Sequence, residues 1–566
     1  MRIMENMNPS LSSSTHQPDS GTKETPFAQA IVHLTKQQYI QLKWDSRYWQ
    51  RQHERAITRE AALKLKLEQA EATIRDLTQR LYGKQSEKSS LPSEAQAVDP
   101  LPPRPRGQAP GSKGHGRTPR PHLPVLEELH VLPLDEQVCP HCNADFDLFP
   151  GTEDSDIIEI NVKAYVRKIK RQRYKKTCQC STVPGLITAP PVPRLIPKSS
   201  LGVTVWVEVL LGKYLYATPT HRLCADLKNL GAPVAMGTLT GGLKKLASLF
   251  EPLSVALLER HLTEQLFHGD ETRWKVFQEI EGKVGYRWYL WLTRSASVVF
   301  FWMNPGRGAK VIKEHMAGLD PDVLTIFVCD RYSAYKCWAK DFPLILLAFC
   351  WAHVRRDFLD NAKAWPELTV WMQAWVDAIG DLYHLNSLRL EVWDAALPLS
   401  GQSPQFQMQH QALAASLEAM STKRDIALAD PDLHHRQKKV LTSLNNHWAG
   451  LTVFLDHPQT PMDNNKGENS IRNPATGRKN YYGSGAVWSA NLAAMLFSIL
   501  QTVILWGLNP RHWLHVYLTA CAENGGLAPT DLTPFLPWTM EEARRHELKQ
   551  PLKLEFPAQP VPFDTS

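Results

Sequence analysis

A chain of 566 residues, 43% of them hydrophobic, is long enough for one large core plus accessory modules on the usual scale of about 100–200 residues per domain. Lys and Arg outnumber Asp and Glu by 64 to 57, a formal charge of +7, too mild to make the whole chain a polycation and informative only where the excess is concentrated. The opening M-R-I-M-E-N-M-N-P-S lacks the apolar core of a secretory leader, and nine cysteines in such a chain point to thiols or metal ligands rather than disulfides, so a cytoplasmic protein is expected.

Residues 1–35, rich in Ser, Thr and His, read as a disordered tail. From 36 to 82 the chain is charged and helical, and Leu63, Leu67, Ala70, Ile74, Leu77 and Leu81 alternate four and three apart, the seam of a short coiled coil through which a homodimer is expected, packing onto the body being the alternative. Residues 83–124 form a basic linker rich in Pro, Ser and Gly, either an arm along DNA or a spacer.

Residues 125–185 carry Cys139 and Cys142 in C-P-H-C and Cys178 and Cys180 in C-Q-C, with a strand-like segment between them. Four thiolates in two knuckles suggest a small β module around structural Zn2+, because extended residues two apart can turn both sulfurs to one ion; the alternative is unligated thiols on a β-ribbon. Within this region 163–176 holds eight basic residues and no acidic one, Lys168, Lys170, Arg171 and Arg173 among them, with Tyr165 and Tyr174 interleaved. That composition suits phosphate neutralisation, or else a solvated strand edge. Residues 190–262 read as helices joined across Gly231 and Pro233, which is either a helix-turn-helix DNA reader or ordinary packing.

The chemistry is expected in 263–356 and 457–508, where three carboxylate-bearing strings occur in order: H-G-D-E-T around Asp270, C-D-R-Y-S-A-Y around Asp330, and D-N-N-K-G-E-N around Glu468. Two end apolar strand-like runs and the third opens a helix, the arrangement of a two-metal phosphoryl-transfer site. Strands are predicted at 266–270, 286–292, 297–302, 323–329 and 344–350, with a helix after the third and another after the fifth. That order is ribonuclease-H-like, and it would make the strands of Asp270 and Asp330 neighbours about 4.8 Å apart. Residues 357–456 read as a helical insertion, and 509–566 remain as a C-terminal tail region.

Some residues have a plainer role open to them. Glu468, three after Asn465, could be the far partner of a capping box. Arg472, four residues on, shares its face and could hold the carboxylate or a DNA phosphate. His268 and His353 read as hydrogen-bonded fold supports or as contacts to metal or phosphate. The apolar run 492–508 contains Ser498, Gln501 and Thr502 and is expected to be a buried core helix rather than a membrane span.

Taken together, the zipper, the basic P-R-P-H-L-P leader to the cysteine module, H-G-D-E-T, D-R-Y-S-A-Y, C-W-A-H-V-R-R-D-F, D-N-N-K-G-E-N-S-I-R and G-R-K-N-Y-Y-G-S resemble the bacterial transposases of the insertion sequence 66 family. The resemblance implies a DDE-type catalytic domain in a multidomain α/β protein, with Asp270, Asp330 and Glu468 as a triad for two Mg2+ ions, Mn2+ being able to substitute. It also implies that Arg472, Arg478 and Lys479 are basic residues serving DNA. The implied partners are double-stranded DNA, as terminal inverted repeats and target, together with accessory proteins of the same element. Asn469 stands where the family usually has Arg, and Asn473 intervenes where the family has Pro directly after Arg472. A catalytically silent DNA-binding regulator and a ribonuclease-H-like nuclease are the competing readings.

Overall fold

A computed structural model describes residues 33–82, 162–175 and 186–553, with isolated positions between 133 and 184. It divides into two units, 1–85 and 86–566, each taken by itself. The first contains one uninterrupted helix, α1 (Lys36–Tyr82), the span expected to be helical. At 1.5 Å per residue it is about 70 Å long, and Leu63, Leu67 and Ile74 lie exposed along it. The expected tail up to residue 32 and the linker at 83–124 fall outside the described residues, as do Cys139, Cys178 and Cys180.

The second unit opens with a short antiparallel ribbon, β1 (Arg173–Lys175) and β2 (Leu186–Thr188). Three helices follow, α2 (Val203–Tyr214), α3 (Thr220–Asn229) and α4 (Met236–His261). The central sheet is built from β3 (Leu266–Lys275), β4 (Arg287–Arg294) and β5 (Val299–Asn304), then β6 (Thr325–Cys329) and β7 (Ile345–Phe349). Helices α5 (Ala309–His315) and α6 (Ser333–Lys340) flank β6, and α7 (Trp351–Ala364) follows β7. The strand order is β5-β4-β3-β6-β7. The first three strands form an antiparallel meander, whereas β6 runs parallel to β3 and to β7.

The expected insertion is α8 (Thr369–Glu391), α9 (Pro404–Ala429), α10 (His435–Asn446) and the single turns α11 (Trp448–Leu451) and α12 (Val453–Asp456). Then come α13 (Asn465–Tyr481), α14 (Val487–Leu505), α15 (Pro510–Glu523) and α16 (Glu542–Lys549). The last two make 509–549 a packed region and not a tail, since Trp513, Leu514, Tyr517 and Leu518 are all buried.

Two cores hold the sheet from opposite faces, as the period-2 alternation of strand side chains requires. One joins Leu290, Leu292, Val299 and Phe301 to α2, α4, α14 and α15. The other joins Phe267, Trp291, Phe327 and Cys329 to α5, α6, α7 and the insertion. Among the described residues α14 alone is long and apolar enough to cross a membrane. It is mostly buried; of the polar residues that interrupt it Gln501 donates to Ser470 O of α13, and Ser498 and Thr502 serve the sheet. Edge strand β5 has backbone N–H groups with no strand beside them; Ser498 Oγ accepts from Phe301 N at 2.8 Å and Thr502 Oγ1 from Val299 N at 3.0 Å.

Candidate active site

Strand β3 runs beyond its predicted end and carries Asp270 in its middle. The parallel ladder pairs Leu266 with Ile326 and His268 with Val328, so continuing it by two residues sets Asp270 beside Asp330, just past the end of β6. Both lie on the sheet face opposite Phe267 and Phe327. Helix α13 packs on this side against β3 and β4 and brings Glu468 from its first turn.

The three carboxylates interact. Burial pushes the Asp270 carboxyl up to about 8, reinforced by the negative charges of Glu271, Asp330 and Glu468 and opposed by the backbone N–H of Glu271. That N–H donates to Asp270 Oδ1 at 2.8 Å. Asp330 Oδ1 accepts from Tyr332 N at 2.9 Å, which fixes the carboxylate at the start of α6. Glu468 is held differently: its Oε1 is buried without a hydrogen-bond partner, and His353 Nε2 lies 3.7 Å from it.

What orients Glu468 is the residue at the helix start. A capping box from Asn465 does not form; the N-cap is Asn464, and its side chain makes no cap hydrogen bond. Instead Asn464 turns inward and is 1% exposed. Its Oδ1 lies 3.0 Å from His268 Nδ1, its Nδ2 donates to Gly269 O at 2.8 Å, and its backbone N donates to Cys350 Sγ at 3.3 Å. One residue, through its side-chain amide and its backbone N–H, therefore joins β3, the start of α7 and the start of α13. His268 is accordingly a buried fold support, lowered to about 4 by burial and so neutral.

The rest of α13 is tied down by polar contacts. Arg294 Nη1 donates to Lys466 O and Ser470 Oγ, both at 3.0 Å. Arg478 Nη1 donates to Thr272 Oγ1 at 2.7 Å and Arg273 O at 2.6 Å, so this guanidinium is fastened to β3. Asn473 Nδ2 donates to Leu215 O and Asn480 Nδ2 to Ala217 O, giving Asn473 a role in holding α13 to the end of α2. Arg472 and Lys479 are exposed on the same helix.

Beside Asp270 a second layer forms. Glu271 accepts from Arg307 Nη2 at 2.6 Å and from Tyr335 OH at 2.7 Å, and Arg307 lies over the Tyr332 ring at 4.1 Å. Arg331 reaches Asp357 at 2.6 Å and Ser443 at 3.0 Å, linking the Asp330 loop to α7 and to the insertion. None of Glu271, Arg307, Tyr335 or Asn464 was marked as functional by the sequence. Asn464 carried no local signal, because the partners that mark it, His268 and Gly269, lie far along the chain.

The expected DNA-facing residues Lys168, Lys170, Arg171 and Arg173 are exposed and far along the chain from the carboxylates. Of the expected zinc ligands only Cys142 is described, and it is exposed.

Residues 198–492, more than half of the chain, match the profile of the family described as Transposase IS66 family. Three curated relatives come from Sinorhizobium fredii (strain NBRC 101917 / NGR234). Uncharacterized protein y4jD is 24% identical over 76% of this chain and 83% of its own length. Uncharacterized protein y4qI is 25% identical over 75% and 78%, and uncharacterized protein y4hP 23% over 66% and 68%. No solved structure matches the chain.

Proposed function

Because the chain belongs to the IS66 family of transposases, we propose that it is a DDE transposase that binds the ends of an insertion sequence, cleaves DNA phosphodiester bonds there and joins the freed 3′-OH ends to target DNA. The observation that carries this reading is the convergence of Asp270, Asp330 and Glu468 from β3, β6 and α13, close enough that the charges of the other two raise Asp270. The ribonuclease-H-like assignment is supported by the strand order β5-β4-β3-β6-β7 with its antiparallel meander and two parallel strands.

Carboxylates crowded with a buried, unpartnered Glu468 oxygen fit hard divalent cations, which take oxygen ligands. Asp270, Asp330 and Glu468 would hold two Mg2+ ions, with Mn2+ as substitute, and these when bound would supply stabilisation of charge on the attacked phosphate and its leaving oxygen. The chain's own residues set the geometry: Asn464 fixes the helix of Glu468 against the strand of Asp270, and the N–H of Tyr332 fixes Asp330. Arg472 and Lys479, exposed on α13, face solvent where phosphates can approach. The exposed strip of Lys168, Lys170, Arg171 and Arg173, with Tyr165 and Tyr174, adds phosphate neutralisation away from the chemistry. Helices α2, α3 and α4 all bury their apolar faces in the core, so DNA reading by the 190–262 region falls to exposed side chains, His221 and Arg222 on α3 and Lys244 and Lys245 on α4.

The proposal also includes structural Zn2+ on Cys139, Cys142, Cys178 and Cys180, pairing of α1 with the same helix of a second copy, and action in the bacterial cytoplasm at the nucleoid, with accessory proteins of the element. Product analysis tests it. Purified protein with Mg2+, labelled DNA bearing the element's ends and a target plasmid should yield joined strands. Cleavage without joining would favour a nuclease, and tight binding without cleavage a regulator.

A further inference from the structure

Beside the three aspartate and glutamate carboxylates lies a donor set of different chemistry. Cys350 follows β7 as the N-cap of α7, His353 sits in the first turn of that helix, and Glu468 faces them from α13. Their sulfur, nitrogen and oxygen donors all lie within 4.8 Å of one another. Two polar atoms of the group are buried and lack any hydrogen bond, His353 Nδ1 and Glu468 Oε1. Leaving such buried atoms unpaired is unfavourable, and no hydrogen bond from the described residues compensates them. The C-x-x-H spacing puts a thiol and an imidazole on one helical turn; burial pushes the Cys350 thiol up to about 11, and a coordinated cation is what would deprotonate it. His353 and Glu468 keep 27% and 21% of their side chains exposed, so an ion here would retain solvent-facing positions.

We propose that Cys350, His353 and Glu468 form a binding site for a borderline-soft divalent cation of the Zn2+ class, separate from the cysteine module and from the oxygen-only arrangement for Mg2+. Thiolate and imidazole select such ions over Mg2+, and three protein ligands with an open position is a recurrent zinc geometry. Glu468 belongs to both arrangements. A Zn2+ ion drawn toward Cys350 and His353 therefore competes for the carboxylate that the proposed DNA chemistry needs, which makes the site an inhibitory one.

The test is metal binding without DNA, so that it stands whether or not the transposase reading does. Full-length protein stripped with chelator is titrated with Co2+, and bound equivalents are counted together with the sulfur-to-cobalt absorption. His353→Gln and Cys350→Ser should each bind one equivalent fewer than wild type and Cys350→Ser should lose its share of the sulfur-to-cobalt absorption, whereas Asp330→Asn should keep that absorption. His353 is partly exposed, so His353→Gln keeps the test valid if the buried Cys350→Ser does not fold; far-ultraviolet circular dichroism identifies that case. Unchanged stoichiometry in a folded His353→Gln would overturn the proposal.

Discussion

Asp270 is a carboxyl whose protein surroundings disfavour its charge. Its value is raised to about 8 by burial and by neighbouring negative charges, so near pH 7 folding without metal works against the ionised form that prevails in the unfolded chain. Removing the charge should help. Asp270→Asn keeps an oxygen for the Glu271 N–H and should stabilise the metal-free protein by roughly 1–3 kcal/mol at pH 7, read as a higher melting temperature in chelator. Addition of Mg2+ should raise the melting temperature of wild type and leave Asp270→Asn almost unmoved. An Asn464→Ala change acts in the opposite direction. It strips a partner from buried His268 and from Gly269 O, at a cost of about 2–4 kcal/mol, and should lower DNA cleavage through misplacement of Glu468 even in the folded fraction.

At the scale of elements, the strands and the helix of Glu468 were legible because each begins or ends at a sharp change of pattern: apolar Thr325–Cys329 stops at Asp330, and a polar loop precedes Asn465. The heptads of α1 were legible for the same reason, as a local period. What sequence could not supply was contact between segments remote along the chain. Asn464 reaches His268 across 196 positions, and nothing local distinguishes it from Asn465, which is why the capping-box reading failed. Close approach was equally hidden. A Cβ on Gly269 would overlap the ring of Phe327, a residue of the second core. Gly269→Ala should therefore push β3 from β6 and destabilise by roughly 1–3 kcal/mol, measurable by denaturant unfolding. Gly483 is tighter still, with φ of +146° and the Lys275 backbone carbonyl standing where a side chain would begin.

At the scale of the whole molecule, two histidines on the sheet face opposite Asp270, against Phe267 and Thr293, set an acid limit. His261 is buried and His315 half-buried, and they share Thr293 Oγ1 at 2.9 and 3.0 Å. Burial holds His261 well below its ordinary value and His315 at about 3. Both are neutral in the fold, whereas the unfolded chain binds protons below pH of about 6.5. Their contribution is thus complete above that value and is lost as pH falls toward 3. Melting temperature should drop steeply between pH of about 6.5 and 4, and His315→Gln should flatten the slope by about one proton. The exposed Leu63 and Leu67 of α1 carry a second expectation: replacing both with Asp should convert a dimer in sedimentation to a monomer if the helix pairs with a second copy.

The most direct measurement compares strand cleavage by purified wild type, Asp330→Ala and Glu468→Gln on DNA bearing the element's ends, with Mg2+ and with chelator. The three-carboxylate account predicts Mg2+-dependent release of 3′ ends by wild type, a loss of at least about 100-fold in both variants, and retained DNA binding. Cleavage by Asp330→Ala at the wild-type rate would contradict it.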